Sequence, residues 1–252
     1  MKRNCGFLFT SFMISMFLAV LPARSGYVSE LNIIGFTENG SVFVYEEYGV
    51  QDGSGFPFAR RHYIDTATDS YLPGMPIRVL LNDETRTVKE ARFVARQEAE
   101  SLTGLRDLDL IGNPGSQRAF NPVSEVNSDP HRVVFYPETV FRLRAKPLVL
   151  RLSEKRFPAP EMCSFATDQI RGFDLFLINE FDGGGERALN EDLRVPESRG
   201  CALGYKIGGV QVYYPEGEKP VLIALIIVER VGFEGSDFHW LAVAARPDEF
   251  IP

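Results

Sequence analysis

The sequence predicts a mainly β fold, with an N-terminal four-strand antiparallel meander, one long helix and a C-terminal β-sandwich-like sheet. Three observations carry this. Short apolar and β-branched runs recur through most of the chain, each closed by Gly, Pro, Asn or Asp. One stretch near residues 82–104 switches to helical spacing. The C-terminal runs are apolar on both faces, as a doubly covered sheet requires.

The first 25 residues read as a secretory signal. Lys2 and Arg3 precede an apolar run from Gly6 to Leu21, and Pro22 follows. Ala23 and Ser25 place small residues at the −3 and −1 positions of a cleavage site, so the mature chain is expected to begin at Gly26. The alternative is an uncleaved anchor, for which the run is short. Cys5 precedes the run, which argues against a lipoprotein. Residues 26–252 keep 24 basic side chains against 34 acids, a net charge of −10. Such an acidic chain is a poor partner for nucleic acid or an anionic lipid surface. No later run is long enough for a transmembrane segment, and a secreted or periplasmic location is expected.

Leu31–Phe36 and Val42–Tyr48 read as two strands around the turn Glu38-Asn39-Gly40. Alternation puts Val42, Val44 and Glu46 on one face, and Phe43, Tyr45 and Glu47 on the other. The loop "YGVQDGSGFP" follows, with a third strand beginning at Ala59 or Arg60 and a fourth in "PIRVLLN". Beyond Asn82-Asp83, a cap candidate, Val88, Ala91, Ala95, Ala99 and Leu102 recur at spacings of three and four, and Gly104 stops the helix. Residues 26–111 thus form a meander plus helix. Residues 112–130 are polar, contain three prolines and read as a loop or linker. Residues 131–252 form the sandwich-like region, either separate or one domain with 26–111.

Two resemblances accompany these readings. "FTENG", "VFVY" and "YIDTATDS", within residues 33–70, resemble a single blade of the propeller repeats of Tol-associated periplasmic proteins. No second copy follows, so a full propeller is not expected. "ELNIIGF", "YGVQDGSGFP", "YIDTATDS", "NPVSEVNSDP" and "SRGCALGY" together resemble a family of predicted secreted bacterial proteins of unknown function. That resemblance supplies no activity. It implies a complete exported protein and a structural role for Cys201.

Cys163 and Cys201 are the two cysteines beyond the leader, and in an oxidising compartment they are expected to pair. In the opening loop, Gln51, Asp52 and Ser54 stand among glycines, and Arg60 lies just beyond. These four are candidate ligand-binding residues, set against the plainer reading of a long hairpin held down by Phe56 and Phe58. "NEFDGGGERALNED" offers Asp182 and Glu186 as candidate metal ligands, for calcium, against the plainer reading of an acidic hairpin tip. No other cofactor is indicated. His62, His131 and His239 lack metal-ligand spacing and read as sheet-surface residues. No GxSxG or phosphate-binding loop occurs, and no catalytic residue stands out. The expected role is a non-enzymatic exported binding or interaction protein of the envelope, its partner an unknown envelope protein or glycan. The alternatives are an exported hydrolase acting on a glycan or peptide, and a structural envelope component.

Overall fold

The computed structural model describes residues 26–138, 146–180 and 184–247. The leader reading therefore lies outside the described residues. The first sheet contains β1 (Glu30–Phe36), β2 (Val42–Val50) and β3 (Pro57–Asp65), with β4 (Ser70–Tyr71) and β5 (Ile77–Leu80) sharing the outer edge of β3. All pairings are antiparallel. The β1–β2 turn closes at Gly40, whose φ of +69° suits glycine, and Asn39 Oδ1 accepts the Ser41 N–H.

The alternation read in residues 42–48 holds. Val44 joins Ile34, Tyr63 and Ala99 on one face of the first sheet, while Phe43 and Tyr45 face the opposite way. The helix α1 (Val88–Thr103) covers the first of these faces. Its buried residues are Ala91, Ala95 and Ala99, small enough to bring the helix close to Ala59 of β3. Its N-cap is Thr87, not Asn82 or Asp83. Thr87 and Glu90 form a reciprocal capping box, while Asp83 Oδ1 accepts the Thr85 N–H in a separate preceding turn. Gly104 ends the helix at a φ of +74°. A short helix, α2 (Asp107–Leu110), follows.

Ser116–Phe120 forms β6, inside the stretch read as a loop. It pairs with β11, so its strand character comes from a partner edge and not from its own polar composition. The third sheet is β10-β9-β8-β7, built from β7 (Arg132–Phe135), β8 (Leu148–Pro158), β9 (Gln169–Asn179) and β10 (Gly185–Glu191). The central sheet is β13-β12-β11-β6, with β11 (Ala202–Tyr213), β12 (Val221–Val231) and β13 (Ser236–Ala245).

The stacking order is α1, first sheet, central sheet, third sheet. On β12, Leu222, Ala224, Ile226 and Val228 pack against Leu150, Phe173 and Leu175 of the third sheet. Val221, Ile223, Leu225 and Ile227 pack against Phe36, Phe43 and Tyr45 of the first. This is why residues 221–228 are apolar without alternation: both faces are covered. Cys163 and Cys201 are bonded, with Cα atoms 5.6 Å apart, and tie the β8–β9 connection to the start of β11. Among the described residues, no helix is long and apolar enough to cross a membrane.

Candidate ligand-binding site at the seam of two sheets

The seam between the first and central sheets is apolar along most of its length, then turns polar at one end. Glu47 continues the face of Phe43 and Tyr45, and so meets the central sheet as a carboxylate that is 2% exposed. Register sets its first partner. Glu47 stands opposite Arg60, and Arg60 Nη1 donates to Glu47 Oε1 at 3.1 Å. β13 supplies the rest. The Trp240 N–H donates to Glu47 Oε2 at 3.1 Å, and His239 Nδ1 lies 3.2 Å from the same oxygen. His62 Nε2 is 3.5 Å from Glu47 Oε1.

His62 and His239 are therefore not on a sheet surface. They are 5% and 3% exposed. His62 shares the inward face of Tyr45, while His239 lies on the opposite phase of β13 from Trp240 and is enclosed at the free edge of that strand by Tyr27, Ser29, Arg60 and Glu47. The His62 ring stacks on Tyr45, centroids 4.3 Å apart. Burial opposes charging, and the pKa of both histidines is lowered despite the nearby carboxylate. Burial works to raise the pKa of Glu47, but the hydrogen bonds and charge that His239 and His62 supply in their protonated form outweigh it and hold the carboxyl well below its ordinary range.

The N-terminal segment completes the cluster. Ser29 N–H donates to Phe238 O at 2.9 Å, which lays the segment along β13. Tyr27 OH then sits 2.8 Å from His239 Nε2. Arg60 Nη1 is 2.7 Å from His239 Nδ1. A guanidinium can only donate, so the neutral imidazole must accept at Nδ1 and carry its proton on Nε2. Nε2 then donates to the Tyr27 oxygen, and the phenol proton is left to donate elsewhere.

A cavity of about 200 Å³ opens beside this cluster, lined by Tyr27, Gln51, Phe58, Arg60, Arg78, Val79 and Leu80. Two cross-strand pairs of β3 and β5 shape it: Phe58 opposite Leu80, and Arg60 opposite Arg78. Phe58 is 3% exposed and meets the Tyr27 ring edge-on at 5.3 Å. A smaller cavity of about 90 Å³ lies on the far side of Arg60 and Arg78, with Glu47, His62 and Arg230 in its wall.

Of the four candidate ligand residues, Gln51 and Arg60 line one cavity. Asp52 and Ser54 turn back on their own loop. Asp52 Oδ1 accepts the Gly53 N–H, and Ser54 Oγ accepts the Phe56 N–H while donating to Gln51 Oε1. The strands also run further than read, to Val50 and from Pro57, leaving a six-residue turn. Of the calcium candidates, Asp182 lies outside the described residues, and Glu186 pairs with Arg151 at 2.8 Å. Among the described residues, no cluster of three or more His, Cys, Asp or Glu is placed to hold a metal. Tyr27, Glu47, His239 and Arg78 were not singled out by sequence. The available signal was Glu47 itself, a charge sharing the face of Phe43 and Tyr45.

The family model for "Predicted secreted protein (DUF2259)" matches residues 44–246. No curated protein and no solved structure matches the chain.

Proposed function

Because the chain belongs to the DUF2259 family of predicted secreted proteins, we propose that it is an exported, non-enzymatic binding protein of the envelope, with its ligand seated in the cavity between the β3–β5 edge and Tyr27. One observation carries this reading. Phe58 and Leu80 form an apolar floor directly beside the polar pair Arg60 and Arg78, and such a floor with a few convergent polar groups is the usual build of a small-molecule site. The cavity volume favours a small molecule over a protein face or a glycan chain. Gln51 stands at the rim, so the opening loop contributes through one side chain.

A hydrolase would find its acid and base in Glu47 and His239, with Tyr27 as the third member. The geometry speaks against that use. A relay needs Nδ1–H directed at the carboxylate, and Arg60 occupies that position. Glu47 is spent on Arg60 and the Trp240 N–H, out of reach of a substrate.

Native mass spectrometry of gently purified exported protein tests the proposal. A small-molecule adduct present in the wild type and absent in Arg78→Gln is the expected result. A ligand-free mass, combined with no thermal stabilisation by any member of a metabolite library, would reject it.

A further inference from the structure

Arg60 and Arg78 are directly opposed across β3 and β5 and project from the same face. Like charges so placed destabilise a sheet. Glu47 answers Arg60. Arg78 has no carboxylate within ion-pair distance among the described residues. The wall of the neighbouring smaller cavity repeats the imbalance: Arg230 donates to Ser198 O, and its Nε is buried without a partner. In a chain with seven more acids than bases, this seam concentrates unanswered positive charge.

The groups facing the larger cavity are donors. Arg60 commits Nη1 to Glu47 and His239 and also interacts with the Tyr27 hydroxyl, so it and Tyr27 present their remaining donors together. Arg78 has all of its own. The Tyr27 hydroxyl, accepting from His239 Nε2, has its proton to give. No acidic side chain lines this cavity among the described residues. Phe58 and Leu80 continue the same face one strand step away and supply an apolar surface.

We infer that the cavity binds a small organic anion, whose carboxylate or other oxyanion bridges Arg60 and Arg78 and accepts from Tyr27, while its apolar body lies on Phe58 and Leu80. The inference rests on the binding reading above and names the ligand class. Two guanidiniums and a phenol match the lone pairs of a planar or tetrahedral oxyanion. An anion there also removes the repulsion within the arginine pair, so binding should stiffen the β3–β5 edge.

Titration of the ¹⁵N-labelled chain, residues 26–252, followed by backbone amide shifts, tests it with three probes. Benzoate carries charge and body, benzamide the same body without charge, and inorganic phosphate charge without body. Benzoate should shift Tyr27, Arg60, Arg78 and Leu80 saturably. Benzamide and phosphate should each bind about tenfold or more weakly, the loss expected for one missing charge-assisted or apolar contribution. Arg78→Gln should weaken benzoate by a similar factor and leave the melting temperature of the free protein unchanged or raised, because it relieves the opposed charges. Benzamide equal to benzoate overturns the anion and leaves the binding reading standing. Phosphate equal to benzoate overturns the organic body. Undiminished benzoate binding by Arg78→Gln, or no saturable shift with benzoate, overturns the inference as a whole. The mass measurement above then decides the binding reading by itself.

Discussion

The carboxylate of Glu47 accepts the backbone N–H of Trp240 at 3.1 Å, so an ionised side chain of the first sheet occupies a hydrogen-bonding position on the edge strand of the central sheet. Glu47 also receives Arg60 at 3.1 Å. Removing the acid strands both a buried peptide N–H and a guanidinium that is only a quarter exposed. Glu47→Ala should therefore cost about 3–5 kcal/mol, as for other broken buried pairs. Glu47→Gln keeps an acceptor for Trp240 and should cost less. Denaturant unfolding checks the order, and equal costs would mean that the Trp240 contact contributes nothing.

Acid should destabilise the protein in two steps of the same sign. The folded-state pKa values of His62 and His239 are lowered from 6.5, chiefly by burial. The unfolded chain therefore takes up protons first, and stability declines as pH falls below about 6.5. Glu47 is held below its ordinary 4.5, so its contribution is present above that value and disappears as pH falls further. Asp69, whose pKa burial raises to about 6, acts in the opposite direction as pH falls below that value. The histidine and Glu47 steps are therefore read in an Asp69→Asn background, where urea midpoints at pH 8, 6, 5 and 4 should fall monotonically. A midpoint rising between pH 8 and 5 would contradict the neutral, buried state of the histidines.

Cys163 is fully buried, and its bond to Cys201 joins positions 38 residues apart, one in the β8–β9 connection and the other just before β11. Cys201→Ser should lower stability by about 2–5 kcal/mol. Peptide mapping without reductant should recover one crosslinked pair, and free-thiol labelling of both cysteines in exported protein would argue against it.

The opening loop separates by mutation into an anchor and a turn. Phe58 is buried against Tyr27 and beneath the Arg60 guanidinium, 5.0 Å from its ring. Phe58→Ala should cost about 3–5 kcal/mol. Asp52 and Ser54 hold hydrogen bonds within the loop, each worth about 1 kcal/mol. The double change Asp52→Ala with Ser54→Ala should thus be the milder of the two in thermal melts. The reverse order would make the turn, and not the ring, the anchor.

The N-terminal segment pairs with β13 from Tyr27 onward: Phe238 N–H donates to Tyr27 O, and Ser29 N–H to Phe238 O, both at 2.9 Å. A leader removed after Ser25 would leave this contact intact. Intact-mass measurement should find Gly26 at the mature N-terminus. Full-length chain in the membrane fraction would show an anchor instead.

Local periodicity was sufficient for the elements themselves. Alternation over Val42–Glu47 assigned each residue to its face, spacings of three and four located α1, and the double-sided apolar run at 221–228 announced a covered strand. Arg60 and Gln51 were also within reach, because they flank a glycine-rich turn. Only the tertiary structure decided the partners. Glu46 and Arg61 are opposed in register, yet Arg92 of α1 takes Glu46 and Asp107 of α2 takes Arg61. Ser116–Phe120 becomes a strand because β11 offers an edge. His239 reads locally as one polar residue in a strand, and its meeting with Glu47, 192 positions earlier, depends on how the first sheet docks on the central one. A side-chain period of two or 3.6 residues records which face a residue presents, but carries no information about the sheet that will cover that face.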